Sequence, residues 1–535
     1  MRARTFSLWV LLSACADQTG PEGELGAPIP LDQGVVYLDR GHSSLIYVEP
    51  TQTNSAARLE LSRVPAGEQA VLAISAPIPE ATGRKRLLVT DAGRAQVLAF
   101  DDLHAQPRVV ATGVPLEALD LSETGDFAIS YQPDGTLPTG SLFAFPNTVA
   151  VLDLRAASFG GKAVRLGAGD ARPLKAVFAE RLQFEALLDF GAGPAPTAVA
   201  ARLALFFVRG GLVPVDLEHA SAGTRIPLSP EPDAAVVPAE VLFTNNAGDD
   251  RRGTLDGIER AFVRSTDGEI YVLSLAPTPT ASGEVRVRLA LENLITPASP
   301  VSDIELFFRP DGSELLLAVA GEQLVLVDGQ TGVASYVSVG APVDSLRRYR
   351  EPNTQIDMAL AYSHATPSAT LWRVEPLDLA AHRASGLTAM HLGSAIADVA
   401  VATGDLRAVL HYEDPHEIGV FDLATREVLD MRFNWLSGAV LSERGDCLWM
   451  AALSSDGEPA LAEVTLDGAL TTRQVALDRG GASIGRVGNF LWVDHADTQG
   501  ALTVFPYDRL SRDAGVTASG LMLTDLLSVP YADKE

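Results

Sequence analysis

The densest group of side chains that could do chemistry is His411-Tyr-Glu413-Asp414-Pro-His416. Imidazole nitrogens and carboxylate oxygens are ligands that zinc and similar divalent metals accept. A metal needs converging ligands, however, and adjacent residues of a strand point to opposite faces. We therefore interpret the group as a solvated turn, keep His411, Glu413, Asp414 and His416 only as an alternative metal site, and predict no cofactor.

Histidines, tyrosines and acids recur at the ends of apolar stretches elsewhere in the chain. If each stretch is the second strand of a repeat, the loops that follow emerge on one face, where they could hold a ligand. The alternative is that exposed loops are polar by default. The candidate ligand-binding residues are His42, Tyr131, His364, His411, His416, Asp494 and His495.

Gly481-Ala-Ser483-Ile-Gly485 matches the G-x-S-x-G pattern that surrounds the nucleophile of many hydrolases. That elbow requires a strand followed by a helix, whereas this segment leads into the apolar strand pattern NFLWV. The chain has no G-x-G-x-x-G, P-loop or H-E-x-x-H motif. We predict no catalytic residue, although an enzyme whose site combines distant residues stays open.

The elements that would position these residues form a repeat, of which residues 396–428 are a complete copy. Four short strand patterns there are separated by Gly, Asp and Pro turns, and the apolar side chains alternate with period two. Turn glycines recur with spacings of 44, 92, 41 and 43 residues at Gly268, Gly312, Gly404, Gly445 and Gly488. This period predicts an all-β propeller of four-stranded blades.

The segments VLVDGQTGV (325–333) and VFDLATREV (420–428) resemble the strand-turn-strand signature of YVTN-type and WD40-like propellers. The chain has no Trp-Asp dipeptide, so the resemblance implies the architecture and no functional residue. We expect seven to ten blades, in one ring rather than two, from a literal count of about ten hairpins. Residues 245–259 are predicted to be a polar insertion, 156–200 to favour strand over helix, and 520–526 to pair with the first strand.

The N-terminal sequence predicts where in the cell the protein is located. Arg2 and Arg4 precede a short apolar run and Leu12-Ser-Ala-Cys15, which is typical of an export signal. The ending resembles the bacterial lipobox, in which the cysteine sulfur is acylated and the peptide is cut just before the cysteine; an ordinary secretory signal is the alternative. Because Asp17 does not directly follow Cys15, the resemblance favours the outer membrane over the inner one.

The predicted domains are a signal peptide (1–14), the lipidated Cys15 with a Gly- and Pro-rich tether (15–33), the propeller (34–528) and a tail (529–535). Cys447 would then have no disulfide partner, and we interpret it as a small core residue. The net charge of −27 argues against nucleic acid and against general adhesion to anionic lipids.

These observations favour a cell-envelope lipoprotein that binds or scaffolds a protein or glycan partner without catalysis. Contact with the membrane would be through the lipid alone, and the oligomeric state is open. The alternative function is a hydrolase or lyase with histidines and carboxylates in the central channel. Convergence of at least three of the loop histidines and acids would favour the enzyme.

Overall fold

A computed structural model describes most of the chain between Leu25 and Leu521. The residues outside this description are 1–24, 54–55, 79–80, 82, 134–146, 168–171, 190–193, 229–235, 245–258, 280–284, 309–313, 330, 352–353, 355, 374–386, 402–406, 443–444, 455, 467–470, 496–499, 508–509 and 522–535. Cys15, residues 16–24 of the predicted tether and residues 245–258 of the insertion therefore lie outside the described residues. The end of the predicted tether is described, and there Ile29–Pro30 form a strand that pairs with Val35 and Val36 of the first sheet.

The described residues form ten antiparallel sheets, the blades of a β-propeller, as the repeat predicts. The strands of the first five sheets are β1–β4 (Ile29–Pro30, Val35–Asp39, Ser44–Thr53, Ala56–Pro65), β5–β8 (Ala70–Pro77, Lys85–Asp91, Gln96–Phe100, Arg108–Ala111), β9–β12 (Ala118–Leu121, Phe127–Tyr131, Thr148–Asp153, Gly160–Arg165), β13–β17 (Lys175–Asp189, Pro194–Val208, Gly211–Asp216, Ser221–Ala222, Ile226–Pro227) and β18–β21 (Pro238–Phe243, Glu259–Ser265, Ile270–Pro279, Val285–Ile295).

The strands of sheets 6 to 10 are β22–β25 (Asp303–Phe308, Glu314–Ala320, Gln323–Asp328, Ala334–Ser338), β26–β29 (Ser345–Arg350, Asp357–Tyr362, Ser368–Arg373, Leu387–His391), β30–β33 (Ile396–Val401, Arg407–Tyr412, Glu417–Asp422, Val428–Arg432), β34–β37 (Trp435–Leu441, Cys447–Leu453, Pro459–Thr465, Thr471–Ala476) and β38–β41 (Gly481–Val487, Phe490–His495, Ala501–Pro506, Val516–Ser519). The described residues also include 3₁₀ turns at Ala92–Arg94 and Arg512–Ala514.

Each sheet is an up-and-down meander in which consecutive strands pair. The fourth strand of sheet 4 is broken into β16 and β17, which both pair with β15. The second strands are almost wholly buried, as in β10 and β27, whereas the fourth strands are largely exposed, as in β33. Continuous apolar runs therefore mark the strands that are covered by neighbouring sheets on both faces.

The region 156–200 is confirmed as strand, because β13 covers Lys175–Asp189. Its pairing with β14 has a register shift between Ala179 and Leu182. The predicted closing strand at 520–526 lies mostly outside the described residues. The fourth strand of sheet 10 is instead Val516–Ser519, which pairs with β40.

By compactness the chain divides into two units. The first contains residues 1–119, 154–161 and 400–535, and the second contains 120–153 and 162–399. In the first unit the end sheets pack on each other, because Val35, Tyr37 and Ile46 of sheet 1 share a hydrophobic cluster with Trp492 and Leu502 of sheet 10. In the second unit sheet 4 packs on sheet 5 through Leu205, Phe207 and Leu273.

Arginines at the start of the second strand connect neighbouring sheets, and one of them is buried. Arg86, only 1% exposed, donates to the carbonyl of Leu154 at 2.8 Å and contacts the Asp101 carboxylate at 3.1 Å. Arg407 likewise reaches the carbonyl of Gly445 in the next sheet at 3.0 Å. A planar guanidinium can bond a carboxylate and a carbonyl together, which an ammonium group does less well. No helix among the described residues is long and apolar enough to cross a membrane.

Candidate functional site

The loops that follow the second strands were predicted to carry the candidate ligand-binding residues. The sheet order shows that the first strong apolar stretch of a blade, as in β2, β27 and β31, is its second strand. His42, His364 and His416 lie in the loops after these strands. Tyr131, His411, Asp494 and His495 lie instead within second strands, at or near their last residue.

His42 and His364 each bond a carboxylate of their own sheet. Nδ1 of His42 lies 2.8 Å from Asp39, which also accepts the His42 backbone N–H. Nδ1 of His364 lies 2.6 Å from Asp344, which likewise accepts the backbone N–H of its histidine. Asp39 fixes the turn that carries His42, as in an Asx turn, whereas Asp344, 20 positions before His364, fixes its loop from the start of the neighbouring strand.

Tyr131 and Asp494 form hydrogen bonds inside the fold. Tyr131 is 4% exposed and its hydroxyl donates to Asp120 at 2.9 Å. Asp494 accepts a hydrogen bond of 2.8 Å from Tyr37. Burial raises the pKa of Asp494 to about 6, and the bond from Tyr37 partly opposes that rise.

His495 and His411 also lie within sheets. His495 is 4% exposed; its Nε2 lies 2.6 Å from the hydroxyl of Thr503 and its Nδ1 lies 3.2 Å from the carbonyl of Gly480. Burial lowers the pKa of His495, which favours the neutral ring. His411 pairs with Ile418 across β31 and β32.

The alternative metal site does not assemble. The ring of His416 contacts the ring of Trp435, and Asp414 accepts the backbone N–H of His416 at 2.9 Å. His411 lies within the strand, before the turn. In the described ranges no three His, Cys, Asp or Glu side chains gather as a metal ion would require.

The turn at 413–416 instead forms one side of an exposed aromatic surface. The rings of His416 and Trp435 meet edge to face, with centroids 5.8 Å apart and an angle of 82° between the planes. Phe433 donates its N–H to the carbonyl of His416 at 2.8 Å, and Leu436 donates to Pro415 at 2.9 Å. The Leu436 bond therefore holds the turn of sheet 8 against the first strand of sheet 9, and the Phe433 bond extends the pairing of β32 with β33.

The turn at 454–458 forms the other side of this surface. Asn434 donates its side-chain N–H to the carbonyl of Ser454 at 2.7 Å, and Trp435 pairs with Leu453, the last residue of β35. Asp456 and Glu458 are exposed in this turn. We call Glu413, Asp414, His416, Trp435, Asp456 and Glu458 together the Trp435 surface.

Trp435 differs from the other tryptophans that the structure describes. Its exposed fraction is 47%, whereas Trp372, Trp449 and Trp492 are 1%, 6% and 1% exposed. Sequence analysis missed it because a tryptophan at the start of an apolar strand pattern reads as a core residue. The sequence feature that could have identified Trp435 is its position between two acidic turns, at the first residue of β34.

No protein-family model matches this sequence, and no curated protein is significantly similar to it. The chain is also similar to several solved structures. One is the dihydro-heme d1 dehydrogenase NirN in complex with DHE, with 13% identity, a TM-score of 0.38, and coverage of 73% of this chain and 72% of that one.

A second similar structure is a eukaryotic initiation factor, with 10% identity, a TM-score of 0.41, and coverage of 84% of this chain and 95% of that one. A third is Chaetomium thermophilum Raptor, with 11% identity, a TM-score of 0.31, and coverage of 62% of this chain and 27% of that one.

Ser483 lies inside a strand rather than at a nucleophile elbow. It is the third residue of β38 and pairs with Asp494 of β39. The glycines of the motif have packing roles, because a Cβ on Gly485 would lie 2.3 Å from the Trp492 ring and one on Gly481 would lie 2.9 Å from Ala451. The match to G-x-S-x-G therefore reflects close approach of side chains to the backbone.

A second charged group lies on the first strands of the second unit and was not predicted. Arg264 reaches Glu240 at 3.3 Å, and Arg347 donates to Asp398 at 3.0 Å. Asp303 accepts the backbone N–H of Leu346 in the next sheet at 2.7 Å. Burial, and then the charge of Asp303, raise the pKa of Glu240 to about 7. The bonds of Asp303 and Arg347 connect consecutive first strands, whereas Arg264, in the second strand β19, bonds Glu240 within sheet 5. These bonds give the group a structural role.

Cys447 begins β35 and is partly buried against the cluster between sheets 9 and 10. Its thiol lies 3.7 Å from Oε1 of Glu463. It is the one cysteine among the residues that the structure describes.

Proposed function

We propose that this protein is a non-catalytic binding module of the bacterial cell envelope, anchored through Cys15, which holds its partner on the Trp435 surface. The N-terminal sequence supports the anchor, since it has the charge, apolar run and cysteine of a lipoprotein signal. The outer membrane is the membrane we propose, because Asp17 does not directly follow Cys15.

The exposure of Trp435 carries the binding proposal. A tryptophan that is 47% exposed leaves a large apolar area in water, and such residues are enriched at binding sites. Its neighbours do not cover it, although backbone hydrogen bonds hold the turns on both sides in place. A fixed aromatic side chain between two fixed turns loses little entropy when a partner binds.

The histidines support binding over a hydrolase or lyase. Acid–base catalysis needs groups that converge on one reacting atom. His42 and His364 are instead paired with aspartates of their own sheets, and His495 is buried on Thr503. Each of these rings therefore has a local partner that accounts for its position.

Affinity purification of the tagged full-length protein from detergent-solubilised envelopes of its own host tests the proposal. We expect a partner that is recovered with wild type and lost with Trp435→Ala. The matched control is Tyr336→Ala, which removes another exposed aromatic side chain, 39% exposed, far along the sequence. A partner recovered equally with both variants would place the binding surface elsewhere and overturn the proposal.

The anchor has its own test. Wild type should incorporate a labelled fatty acid and sediment with membranes, whereas Cys15→Ala should lose both properties. Retention of the label in Cys15→Ala would show that another residue is acylated and would remove the anchor from the proposal.

A further inference from the structure

We propose that the Trp435 surface binds a protein through a Lys or Arg side chain placed on the Trp435 ring. This inference rests on the proposed function and specifies the partner's chemistry. The alternatives, a glycan or another neutral ligand, are outcomes of the test below.

The first argument is the sign of the charge around the ring. Glu413 and Asp414 lie in one turn, and Asp456 and Glu458 lie in the other. The segments that form the surface, 413–416, 433–436 and 454–458, contain no Lys or Arg. The nearest arginine in sequence, Arg432, has its guanidinium on the Glu417 carboxylate. The charges of the surface are therefore acidic, and complementary charge on a partner favours both association and the correct orientation.

The second argument is the aromatic group itself. The face of an indole attracts a cation more strongly than the face of any other side chain, and arginine is the commonest cation in such contacts. His416 meets Trp435 edge to face, and an edge-to-face pair uses one face of one ring only. Trp435 keeps 47% of its surface exposed in this arrangement.

The third argument is what the surface would repel. Phosphates of nucleic acid or of lipid head groups would approach four carboxylates on segments that contain no Lys or Arg, beside Arg432, which is paired with Glu417. A neutral glycan could stack on an exposed tryptophan, but it would gain nothing from the net charge of the turns. A cationic protein segment uses both the ring and the charges.

The test uses the full-length protein in detergent, labelled with 5-fluorotryptophan and observed by fluorine NMR. The chain has five tryptophans, and Trp435→Phe identifies the Trp435 signal. The probe is an N-acetylated penta-arginine peptide, and the matched control probe is the same peptide with citrulline, which has the same shape without the charge. Trp372, Trp449 and Trp492 serve as internal controls because they are buried.

We expect the arginine peptide to shift the Trp435 signal, with an affinity that falls as salt is raised from about 25 to about 200 mM, while the citrulline peptide leaves it in place. Glu413→Gln with Glu458→Gln should weaken binding about threefold or more. Trp435→Ala should weaken peptide binding measured by anisotropy, again by about threefold, and Tyr336→Ala should not.

Two results would overturn the inference. If citrulline and arginine peptides shift the Trp435 signal equally, the ring binds ligands regardless of charge. If neither shifts it, while the purified partner still depends on Trp435, the binding module stands and its partner has other chemistry. Loss of the Trp435 dependence in the purification would contradict the proposed function itself, so the two failures are distinguishable.

Discussion

Tyr37 donates a hydrogen bond of 2.8 Å from its hydroxyl to Oδ1 of Asp494. Tyr37 lies in β2 of the first sheet and Asp494 in β39 of the last, 457 positions apart in sequence. In the described part of the chain both sheets are formed by consecutive strands only. Side-chain contacts, rather than a strand exchanged between the two sheets, therefore join the two ends of the sequence.

Tyr37→Phe should destabilise the protein by about 1–3 kcal/mol, because it leaves a largely buried carboxylate without its donor. The measurement is the midpoint of denaturant unfolding, followed by far-UV circular dichroism. Tyr336→Phe, which removes a hydroxyl from a tyrosine that is 39% exposed, is the control and should stay within about 0.5 kcal/mol of wild type. Equal midpoints for both variants would show that the Tyr37 bond contributes nothing to stability.

The buried carboxylates predict a fall in stability as pH rises. Burial raises the pKa of Asp494 to about 6 and that of Glu240 to about 7, whereas unfolded carboxyl groups titrate near about 4. The folded state therefore binds more protons between these values, and the free energy of unfolding contributed by each group decreases as pH rises through its window.

Single substitutions distinguish the pH ranges in which the two carboxyl groups affect stability. Wild type should lose stability between about pH 4 and 6 as Asp494 ionises, and Asp494→Asn should abolish that loss. Wild type should likewise lose stability between about pH 4 and 7 as Glu240 ionises, and Glu240→Gln should abolish that second loss. Chemical denaturation at half-unit pH intervals measures both differences. Difference curves that are flat across these windows would contradict the raised pKa values.

The architecture was predictable from sequence, whereas the site was not. The second strands, such as β31, are continuous apolar runs between turn glycines, so a local pattern reports their burial. Gly268 has a φ of 81°, and a Cβ there would lie 2.5 Å from Pro300. The residues that form such a turn are adjacent in sequence, so the turn can be predicted from a local pattern.

The roles of the histidines depend on partners that are distant in sequence. His364 bonds Asp344, 20 positions away, and Tyr37 bonds Asp494 at the other end of the chain. No local pattern distinguishes these polar residues from exposed ones. Trp435 was missed for the opposite reason, because an aromatic residue in an apolar strand pattern is buried far more often than not.

Replacing arginine by lysine should destabilise the protein more at an arginine that connects neighbouring sheets than at an exposed one. Arg86→Lys should cost about 2–4 kcal/mol, because lysine keeps a buried charge but cannot hold the Asp101 carboxylate and the Leu154 carbonyl together. Arg512→Lys is the control, since its pair with Asp478 is 70% and 69% exposed and should contribute less than about 1 kcal/mol. Thermal and denaturant unfolding of the two variants compare the positions; similar losses would mean that the Arg86 geometry is unimportant.

Two glycines of one segment provide the sharpest test of packing in sheet 10. A Cβ on Gly485 would lie 2.3 Å from Cζ2 of Trp492, whose ring is fully buried, whereas one on Gly480 would meet no described atom within 4 Å. Gly485→Ala should therefore destabilise the protein by about 1–3 kcal/mol and change the near-UV circular dichroism of tryptophan. Gly480→Ala should do neither. If the two alanine variants are equally stable, Trp492 can move away without cost, and the glycine of the G-x-S-x-G match would need an explanation other than the close approach of this ring.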